Sequence, residues 1–378
     1  MKKLELFVSC SQGVEPLLSD ELAQMGYDDC TQGFRGVYVP NTSMEAIYRI
    51  NYCSRLGSRV LLPLSSFRCQ GRNDLYDAAA RIDWTQYIRP GKTFAIDANV
   101  SHPELRNSLF AAQVVKDAVC DRFREGTGNR PSVNVKNPDV QLNLFIYNGR
   151  GVLSFDTSGV PLYKRGYRLE SVEAPLQESL AAAMLTLAEY SKDDVLLDPC
   201  CGSGTFLIEA ALMVSRTAPG YLRNKWGFMD LPEYEQTDWL KVKNLADAGR
   251  VPLVAGKLFG CDVNRDAVRI AKTNLRAAGF LKEVSIVQAD FREFEPAVPP
   301  SMVMTNPPHG KRLSEEDQLI PVYRALGDFL KKKTMKPSKG YVFCGSGVLA
   351  KEVGLATKQR HVFNSGGIES RLLEYELY

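Results

Sequence analysis

The sequence predicts an α/β protein, with a doubly wound parallel sheet in its C-terminal half and a separate α+β region in its N-terminal half. From residue 175 onward, short apolar segments alternate with amphipathic helical segments, as in parallel sheets covered by helices on both faces. Before residue 160, strands and helices mix in a less regular order. The 378 residues are enough for two or three domains, each with its own core.

Residues 4–55 form a small lobe in which two strands alternate with two amphipathic helices. Gly26 ends the first helix, and Pro40 stops the second strand. The predicted elements are a strand at 4–10, a helix at 14–26, a strand at 36–40 and a helix at 43–55.

Residues 56–168 form a second lobe, which carries most of the positive charge. Residues 34–168 hold 19 basic and 11 acidic residues, a net charge of +8, whereas residues 1–33 carry −4 and residues 169–378 carry −1. A solvated basic face and a nucleic-acid footprint both fit this excess. The predicted elements are strands at 59–67, 93–100, 132–136, 140–149 and 151–159 and helices at 74–84 and 108–125.

The segment PLYKRGYR at 161–168 closes this lobe with interleaved basic and aromatic residues. Such a mixture suits RNA, because cations contact phosphates and flat rings stack on bases. The alternative is a surface turn with a tyrosine packed beneath it. Because the segment forms the end of the basic region, we favour RNA contact and predict that Lys164, Arg165 and Arg168 bind RNA.

The C-terminal half repeats β-α units, interrupted at 216–250 by an irregular insertion. We expect Trp226 and Trp239 to pack this insertion onto the fold. The predicted strands are 195–200, 257–263, 283–290, 301–308 and 340–346. The predicted helices are 176–190, 205–215, 265–279 and 319–333, with one more helix after residue 346 and a closing hairpin at 361–378.

Ligands of such sheets bind beyond the carboxyl ends of the strands, and four strand ends here carry marked residues. The first reads Asp198-Pro-Cys-Cys-Gly202-Ser-Gly204-Thr205. Its glycines allow a close backbone approach, the start of the following helix suits a carboxylate, and Asp198 can hold an ammonium. An amino-acid moiety matches both groups. The pattern is neither G-x-G-x-x-G nor a P-loop, which disfavours NAD and ATP.

Two further strand ends carry acids. Asp262 can accept both hydroxyls of a ribose, and Asp290 can accept from an adenine amino group with Phe291 beside the ring. Each acid alone is also explained as a helix cap. Three acidic strand ends in order, the first of them leading into a Gly-rich turn, favour a ligand with an amino-acid end, a ribose and an adenine.

The fourth strand end reads Thr305-Asn306-Pro307-Pro308-His309-Gly310. The side-chain carbonyl of Asn306 and the backbone carbonyl of Pro307 can converge on an exocyclic amino group and orient it for attack on a methyl group. His309 would stack on a flipped base. A Pro-rich loop without chemistry is the less favoured alternative. The loop contains no cysteine, which disfavours covalent C5-pyrimidine chemistry.

Taken in order, DPCCGSGT, GCDVN, QADF and TNPPHG resemble class I (Rossmann-like) S-adenosylmethionine-dependent methyltransferases with an amino-methyltransferase loop. The whole chain is similar to bacterial THUMP-domain methyltransferases that make N2-methylguanine in large-subunit (23S) ribosomal RNA. The resemblance extends to SFDTSGVPLYKRGYR, APLQESLAAAML, the insertion APGYLRNKWGFMDLPEYEQTDW and the closing NSGGIESRLLEYELY. It implies a ferredoxin-like lobe at 1–55, a THUMP RNA-binding domain at 56–168 and a methyltransferase domain at 169–378.

The resemblance also implies roles for individual residues. S-adenosylmethionine would be the cofactor, and Lys311 and Arg312 would meet RNA phosphates. His309 departs from the family loop, which usually has tyrosine there; an imidazole stacks too but is smaller and titrates near neutral pH. The expected cofactor-binding residues are Asp198, Gly202, Gly204, Thr205, Asp262, Asp290 and Phe291, and the expected catalytic residues are Asn306, Pro307, Pro308 and His309.

Other functions find less support in the sequence. The nine cysteines form no C-x-x-C pair and the three histidines are scattered, so we expect no metal. No apolar run approaches the ~18 residues of a membrane span, and Glu5 interrupts the apolar start, so we expect a cytoplasmic protein with RNA as its partner. A DNA adenine-N6 methyltransferase, a transfer-RNA guanine-N2 methyltransferase and a non-catalytic RNA-binding assembly factor remain as alternatives.

Overall fold

The computed structural model describes residues 3–105, 107–308, 313–365 and 368–378. The strands are β1 (Leu4–Ser9), β2 (Thr31–Gly33), β3 (Gly36–Thr42), β4 (Arg59–Arg68), β5 (Thr93–Ser101), β6 (Ser132–Val133), β7 (Val140–Tyr147), β8 (Arg150–Asp156), β9 (Leu196–Asp198), β10 (Leu258–Asp262), β11 (Val284–Gln288), β12 (Met302–Thr305), β13 (Ser338–Cys344), β14 (Gln359–Ser365) and β15 (Ile368–Leu377). The helices are α1 (Glu15–Gln24), α2 (Met44–Cys53), α3 (Arg72–Ala80), α4 (Ser108–Thr127), α5 (Glu178–Leu187), α6 (Thr205–Val214), α7 (Gln236–Ala248), α8 (Arg265–Ala278), α9 (Leu313–Lys332) and α10 (Gly347–Glu352).

The chain divides into two compact units. The N-terminal unit runs to Cys10 and includes Leu18–Leu162 and Arg223–Ala246. The C-terminal unit consists of Ser11–Leu17, Tyr163–Leu222 and Asp247–Tyr378. The insertion therefore belongs mostly to the N-terminal unit, whereas the expected domain boundaries include it in the methyltransferase domain.

One eight-stranded sheet organises the N-terminal unit, in the order β2-β3-β1-β4-β8-β7-β5-β6. Strand β1 pairs with β4, so the two predicted lobes of this region share a single sheet. Along β7 the buried side chains Leu142, Leu144 and Ile146 alternate with more exposed ones, because successive residues of a strand point to opposite faces. Helix α4 packs beside this sheet and buries residues such as Val115 and Val119.

The insertion contains helix α7 and an aromatic cluster, where the sequence predicted only irregular chain. Trp239 packs edge-on against Tyr48 and Tyr52 of α2, with ring centroids 6.0 and 5.4 Å apart. Trp226 contacts the Tyr52 ring at 6.4 Å and stacks on Phe228 at 5.7 Å. Buried rings, rather than helical periodicity, hold this segment in the N-terminal unit.

The C-terminal unit contains a seven-stranded sheet in the order β11-β10-β9-β12-β13-β15-β14. The five strands β11, β10, β9, β12 and β13 are parallel to one another, and β15 pairs with β13 in the antiparallel direction. This confirms the predicted doubly wound α/β fold. The chain continues from β9 to β10 on one side and later returns to β12 on the other, which places a topological switch between β9 and β12. Among the helices that the structure describes, none has the length and the apolar composition of a transmembrane segment.

Candidate active site

A cavity of about 820 Å³ opens at the carboxyl ends of β9, β10, β11 and β12. Its volume is within the range of small-molecule sites. The structure brings to it the four strand ends that the sequence singled out, represented by Asp198, Asp262, Asp290 and Asn306. The chain segment 172–176 lines the cavity as well, although the sequence assigned no ligand-binding role to it.

The turn from β9 to α6 contains two glycines with left-handed backbone conformations, which differ in what they face. Gly202 (φ +52°) lines the cavity, and its N–H donates to Asp262 Oδ2 at 3.0 Å. Gly204 (φ +81°) packs against α8, because a Cβ added there would lie 3.3 Å from the Cβ of Ala271. Gly204 is not among the described residues that line the cavity, and its contact with Ala271 places it at the packing of the turn against α8.

Asp198 is buried at the end of β9, with only 2% of its surface exposed. Its Oδ1 accepts from the backbone N–H of Cys200 at 3.2 Å and from the Thr305 hydroxyl at 2.9 Å. Burial raises the pKa of this carboxyl to about 7, because desolvation disfavours the charged form. A cation in the cavity would offset that cost and hold the carboxylate ionised.

Two more carboxylates lie at the neighbouring strand ends. Besides accepting from Gly202, Asp262 accepts from the Asn264 N–H at 2.9 Å through Oδ1, which fixes its orientation. The hydrogen bonds from Arg292 lower the pKa of Asp290, so this group stays anionic. Phe291 is 5% exposed and packs edge-on against Phe329, with centroids 5.9 Å apart, so it borders the cavity as part of the core.

Asn306 follows β12, and its side-chain carbonyl oxygen is a buried hydrogen-bond acceptor without a donor in the part of the chain that the structure describes. Its Oδ1 has no hydrogen-bond partner among the described residues, although it is shielded from solvent. Leaving a buried polar atom unpaired costs about 1–3 kcal/mol, so such an atom beside a cavity points to a ligand. Pro307 and Pro308 line the same cavity. His309, Lys311 and Arg312 lie outside the described residues.

Arg168 supports the turn between β9 and α6, which corrects the expectation that it binds RNA. Its guanidinium donates to Ser203 Oγ at 3.1 Å and to Thr205 Oγ1 at 3.0 Å. It also donates to Glu178 Oε1 at 2.8 Å and to the Leu176 carbonyl at 2.7 Å. Four acceptors within the protein use this guanidinium, so it is not available to phosphates.

Arg165 is also misassigned by the sequence. It is 1% exposed and lies 3.5 Å from Oε1 of the fully buried Glu209 on α6. Tyr167 donates to the same carboxylate at 2.9 Å. Of the three cations expected to contact RNA from this segment, only Lys164 is exposed. The turn with a tyrosine packed beneath it, the alternative weighed for 161–168, matches what the structure shows at Tyr167.

Asn274 supports the same turn and was missed. Its side chain is fully buried on α8 and donates to the carbonyls of Ser203 at 3.1 Å and Glu170 at 3.0 Å. A signal was present, because Asn274 shares the apolar face of an amphipathic helix with Ala267 and Ala271. A polar residue at such a position needs partners. In the part of the chain that the structure describes, no group of His, Cys, Asp and Glu is arranged to hold a metal ion.

Comparison with protein families identifies three matching regions. Residues 5–61 match the RlmL ferredoxin-like domain, residues 71–156 match the THUMP domain, and residues 165–342 match the RMKL-like methyltransferase domain. The cavity residues 172–176, Asp198, Asp262, Asp290 and Asn306 all lie inside the third region.

Proteins similar to this chain carry related names. A Synechocystis protein named "Putative RNA methyltransferase" is 35% identical over 373 residues, covering 98% of this chain and 96% of the relative. The ribosomal RNA large subunit methyltransferase K/L of Syntrophotalea carbinolica is 37% identical, but the chain spans only 54% of it. A crystal structure titled "SMU.472, a putative methyltransferase complexed with SAH" shares the fold, with a TM-score of 0.86 and 24% identity over 100% of this chain and 99% of the other.

Proposed function

The chain belongs to the THUMP-containing class I RNA methyltransferases, which use S-adenosylmethionine, and from this premise we propose that it methylates the exocyclic N2 of a guanine in 23S ribosomal RNA. The names of the K/L relatives support a ribosomal substrate. The chain spans about half the length of those relatives, so their substrate is extended to it as a proposal. The observation that carries the chemistry is the unpaired acceptor of Asn306.

The cavity fits S-adenosylmethionine. Asp198 offers a buried carboxylate for an ammonium group, and Gly202 leaves room for a close approach of the methionine end. Asp262 presents a carboxylate held in place by two backbone N–H groups, which suits the hydroxyls of a ribose. Asp290 and Phe291 border the region left for an adenine. When bound, this cofactor supplies an electrophilic methyl group.

Asn306 and Pro307 would then hold the amino group that attacks. The Asn306 Oδ1 and the Pro307 carbonyl would each accept a hydrogen bond from one N–H of this amino group, which would turn the nitrogen lone pair out of conjugation with the ring. Methyl transfer would form an N–C bond and break the S–C bond, and the surplus proton of the nitrogen would pass to water. Orientation of the amino group is thus the role that we propose for the described residues of this loop.

Substitution of Asn306 tests this assignment. Asn306→Ala should lower the rate of methyl transfer from labelled S-adenosylmethionine to ribosomal RNA by at least ~100-fold, the usual effect of losing one such hydrogen bond. The Kd for S-adenosylmethionine, measured by calorimetry, should change less than threefold. Asn137→Ala, an exposed asparagine of the N-terminal unit, serves as the control. A near-normal rate in Asn306→Ala would contradict the mechanism.

The nature of the substrate needs a parallel assay. An Asn-Pro-Pro loop also suits the N6 amino group of adenine, so labelled S-adenosylmethionine is offered with ribosomal RNA, transfer RNA and duplex DNA side by side. The THUMP match supports RNA. Product digestion should yield N2-methylguanine from ribosomal RNA; N6-methyladenine from DNA would replace the proposal. S-adenosylmethionine binding without transfer to any of the three would favour an RNA-binding assembly factor.

A further inference from the structure

Three aromatic rings cluster on the surface of the N-terminal unit, away from the methyl-transfer residues in sequence. Phe34, Phe145 and Tyr147 contact one another, with ring centroids 6.1, 6.5 and 6.5 Å apart. Phe34 is 62% exposed and Tyr147 is 50% exposed. Contiguous apolar surface of this kind marks an interaction site. We refer to these three residues as the aromatic platform.

The local structure holds the platform rings in nearly one orientation. Phe145 and Tyr147 are alternate residues of β7, and the intervening Ile146 is buried on the opposite face of the sheet. Phe34 lies in the turn between β2 and β3 and meets both rings. The Phe34 and Tyr147 planes differ by 7°, and the other two pairs differ by 28° and 29°. Parallel flat faces suit a flat ligand better than they suit irregular protein side chains.

Positive charge lies beside the platform. Arg150 is directly opposite Tyr147 in the β7–β8 hairpin, and Arg68 of β4 is directly opposite Arg150. Both arginines are exposed, and neither forms an ion pair with a residue that the structure describes. The two cross-strand rows that pass through Phe145 and Tyr147 contain no carboxylate. A ligand on the platform therefore meets uncompensated guanidinium groups, which favours an anion.

Polar side chains lie on the other side of the platform. Asn99 and Ser101 of β5 are directly opposite Phe145 and Tyr147 in the parallel β5–β7 register, and both are exposed. Amide and hydroxyl groups can donate to and accept from the edges of nucleobases. The sheet therefore presents, in one row, a hydrogen-bonding group, a flat ring and a cation.

We propose that the aromatic platform stacks unpaired bases of the RNA substrate, with Arg68 and Arg150 on the adjacent phosphates. Stacking on exposed sheet aromatics requires bases that are free of pairing, because a duplex does not offer their faces. The inference deepens the proposed function and rests on it, since it takes RNA as the substrate. It also differs from the sequence expectation, which placed the RNA-binding rings and cations at 161–168.

Binding of a defined probe by the full-length protein tests the platform. The probe is a fluorescein-labelled single strand of 12 adenine ribonucleotides, compared by anisotropy with a labelled 12-base-pair RNA duplex. Phe34→Leu and Tyr147→Leu retain an apolar side chain but lose the ring face. Each should raise the Kd for the single strand about tenfold, ~1.4 kcal/mol, while the Kd for the duplex changes less than twofold. Tyr147→Phe keeps the ring and should bind the single strand with the wild-type Kd.

A matched control removes a ring elsewhere. Tyr76 lies on α3 and donates to Asp121, so Tyr76→Leu deletes an aromatic side chain outside the platform. It should leave both Kd values unchanged. Thermal unfolding of every variant shows whether the fold is intact, and Arg68→Gln with Arg150→Gln should reduce the salt dependence of single-strand binding without loss of stability.

Several results would overturn the inference. Unchanged single-strand affinity in the Phe34→Leu, Tyr147→Leu double variant would do so, as would an equal loss of duplex binding. Self-association of the wild-type protein in sedimentation, lost in the double variant, would assign the platform to a second copy of the chain. Methyl-transfer assays separate the two proposals. If the wild-type protein forms N2-methylguanine in ribosomal RNA but the platform substitutions leave the single-strand Kd unchanged, only the platform is refuted. If the substitutions weaken single-strand binding but the wild-type protein forms no N2-methylguanine, only the proposed reaction is refuted.

Discussion

We expect the substitution Asp198→Asn to have opposite effects on the stability of the protein and on its affinity for S-adenosylmethionine. Both donors to the Asp198 side chain, the Cys200 N–H and the Thr305 hydroxyl, use Oδ1. An asparagine can keep its carbonyl oxygen at that position, so the substitution removes charge while retaining these hydrogen bonds. We expect the variant to be more stable than the wild type at pH 8 and to bind S-adenosylmethionine more weakly.

The magnitude follows from the pKa of Asp198. Burial raises it to about 7, from 3.8 for an unperturbed aspartate, so the folded protein retains a proton that the unfolded chain releases. The unfolding free energy therefore falls as pH rises between these two values, by about 1.4 kcal/mol per pH unit. Between pH 5 and pH 8 the wild type should lose about 3 kcal/mol that the Asn variant keeps.

Urea unfolding at pH 5 and pH 8 measures this effect. Glu21, Asp156 and Glu178 also have pKa values raised by burial, so the wild-type pH profile alone does not isolate Asp198. The difference between wild type and variant does, because those groups are common to both proteins. Calorimetry at the same pH values should show the wild-type Kd for S-adenosylmethionine rising about tenfold per pH unit below 7, because an ammonium binds the ionised form. The variant should show a flat profile.

A carboxylate with the opposite shift provides the control. Arg292 lowers the pKa of Asp290, so the ionised Asp290 stabilises the wild type at pH values above the pKa of an unfolded aspartate. This stabilisation disappears as the pH falls. Asp290→Asn should therefore be less stable than the wild type near neutral pH, and the difference should shrink in acid. If Asp198→Asn were less stable than the wild type at pH 8, burial of the charged carboxylate would not be the cost that the raised pKa of Asp198 implies. A stability difference that stayed constant from pH 5 to pH 8 would contradict that cost equally.

Three further predictions concern the corrected roles of basic residues and the turn. Arg168→Gln should raise the Kd for S-adenosylmethionine at least tenfold, because the Ser203 and Thr205 hydroxyls lose their common donor; Lys164→Ala, with an exposed side chain, should leave that Kd unchanged. Arg165→Ala should lower the unfolding free energy by about 3–5 kcal/mol in urea titrations, because it leaves the Glu209 carboxylate buried without its cation. The control Lys164→Ala should change the unfolding free energy by less than ~0.5 kcal/mol. Gly204→Ala should destabilise the protein by about 1–3 kcal/mol, because its φ of +81° is left-handed and the new Cβ meets Ala271; equal stability in urea would show that the turn relaxes.

The sequence carried enough information for the sheet and the strand-end residues. Asp198, Asp262 and Asn306 each follow a short apolar run, and in a parallel sheet the carboxyl ends of such runs share one edge. Their convergence on one cavity was therefore predictable from periodicity and connectivity alone. The insertion was less predictable, because its place depends on Trp239 packing with Tyr48 and Tyr52, which are distant in sequence.

The basic segment 161–168 shows why composition alone misplaces a function. Composition treats Arg165 and Arg168 as equal to Lys164, because all three add one positive charge. Their environments differ: Glu209 is fully buried beside Arg165, and Glu178 accepts from Arg168, so both arginines neutralise acids inside the C-terminal unit. Long-range pairing decides whether an arginine is available to a phosphate, and the sequence of a short segment does not contain it.

The same pairing gives the turn at 202–205 its rigidity. Ser203 is held through its hydroxyl by Arg168 and through its carbonyl by Asn274, which come from different parts of the chain. Neither residue belongs to the predicted cofactor motifs, yet both fix the backbone along which we propose that the methionine moiety binds. The motif therefore defines the chemistry of the ligand, whereas residues outside it determine whether the turn is preorganised to bind. Substitution of Arg168 or Asn274 should therefore lower the affinity for S-adenosylmethionine as much as substitution of a residue in the motif at 198–205.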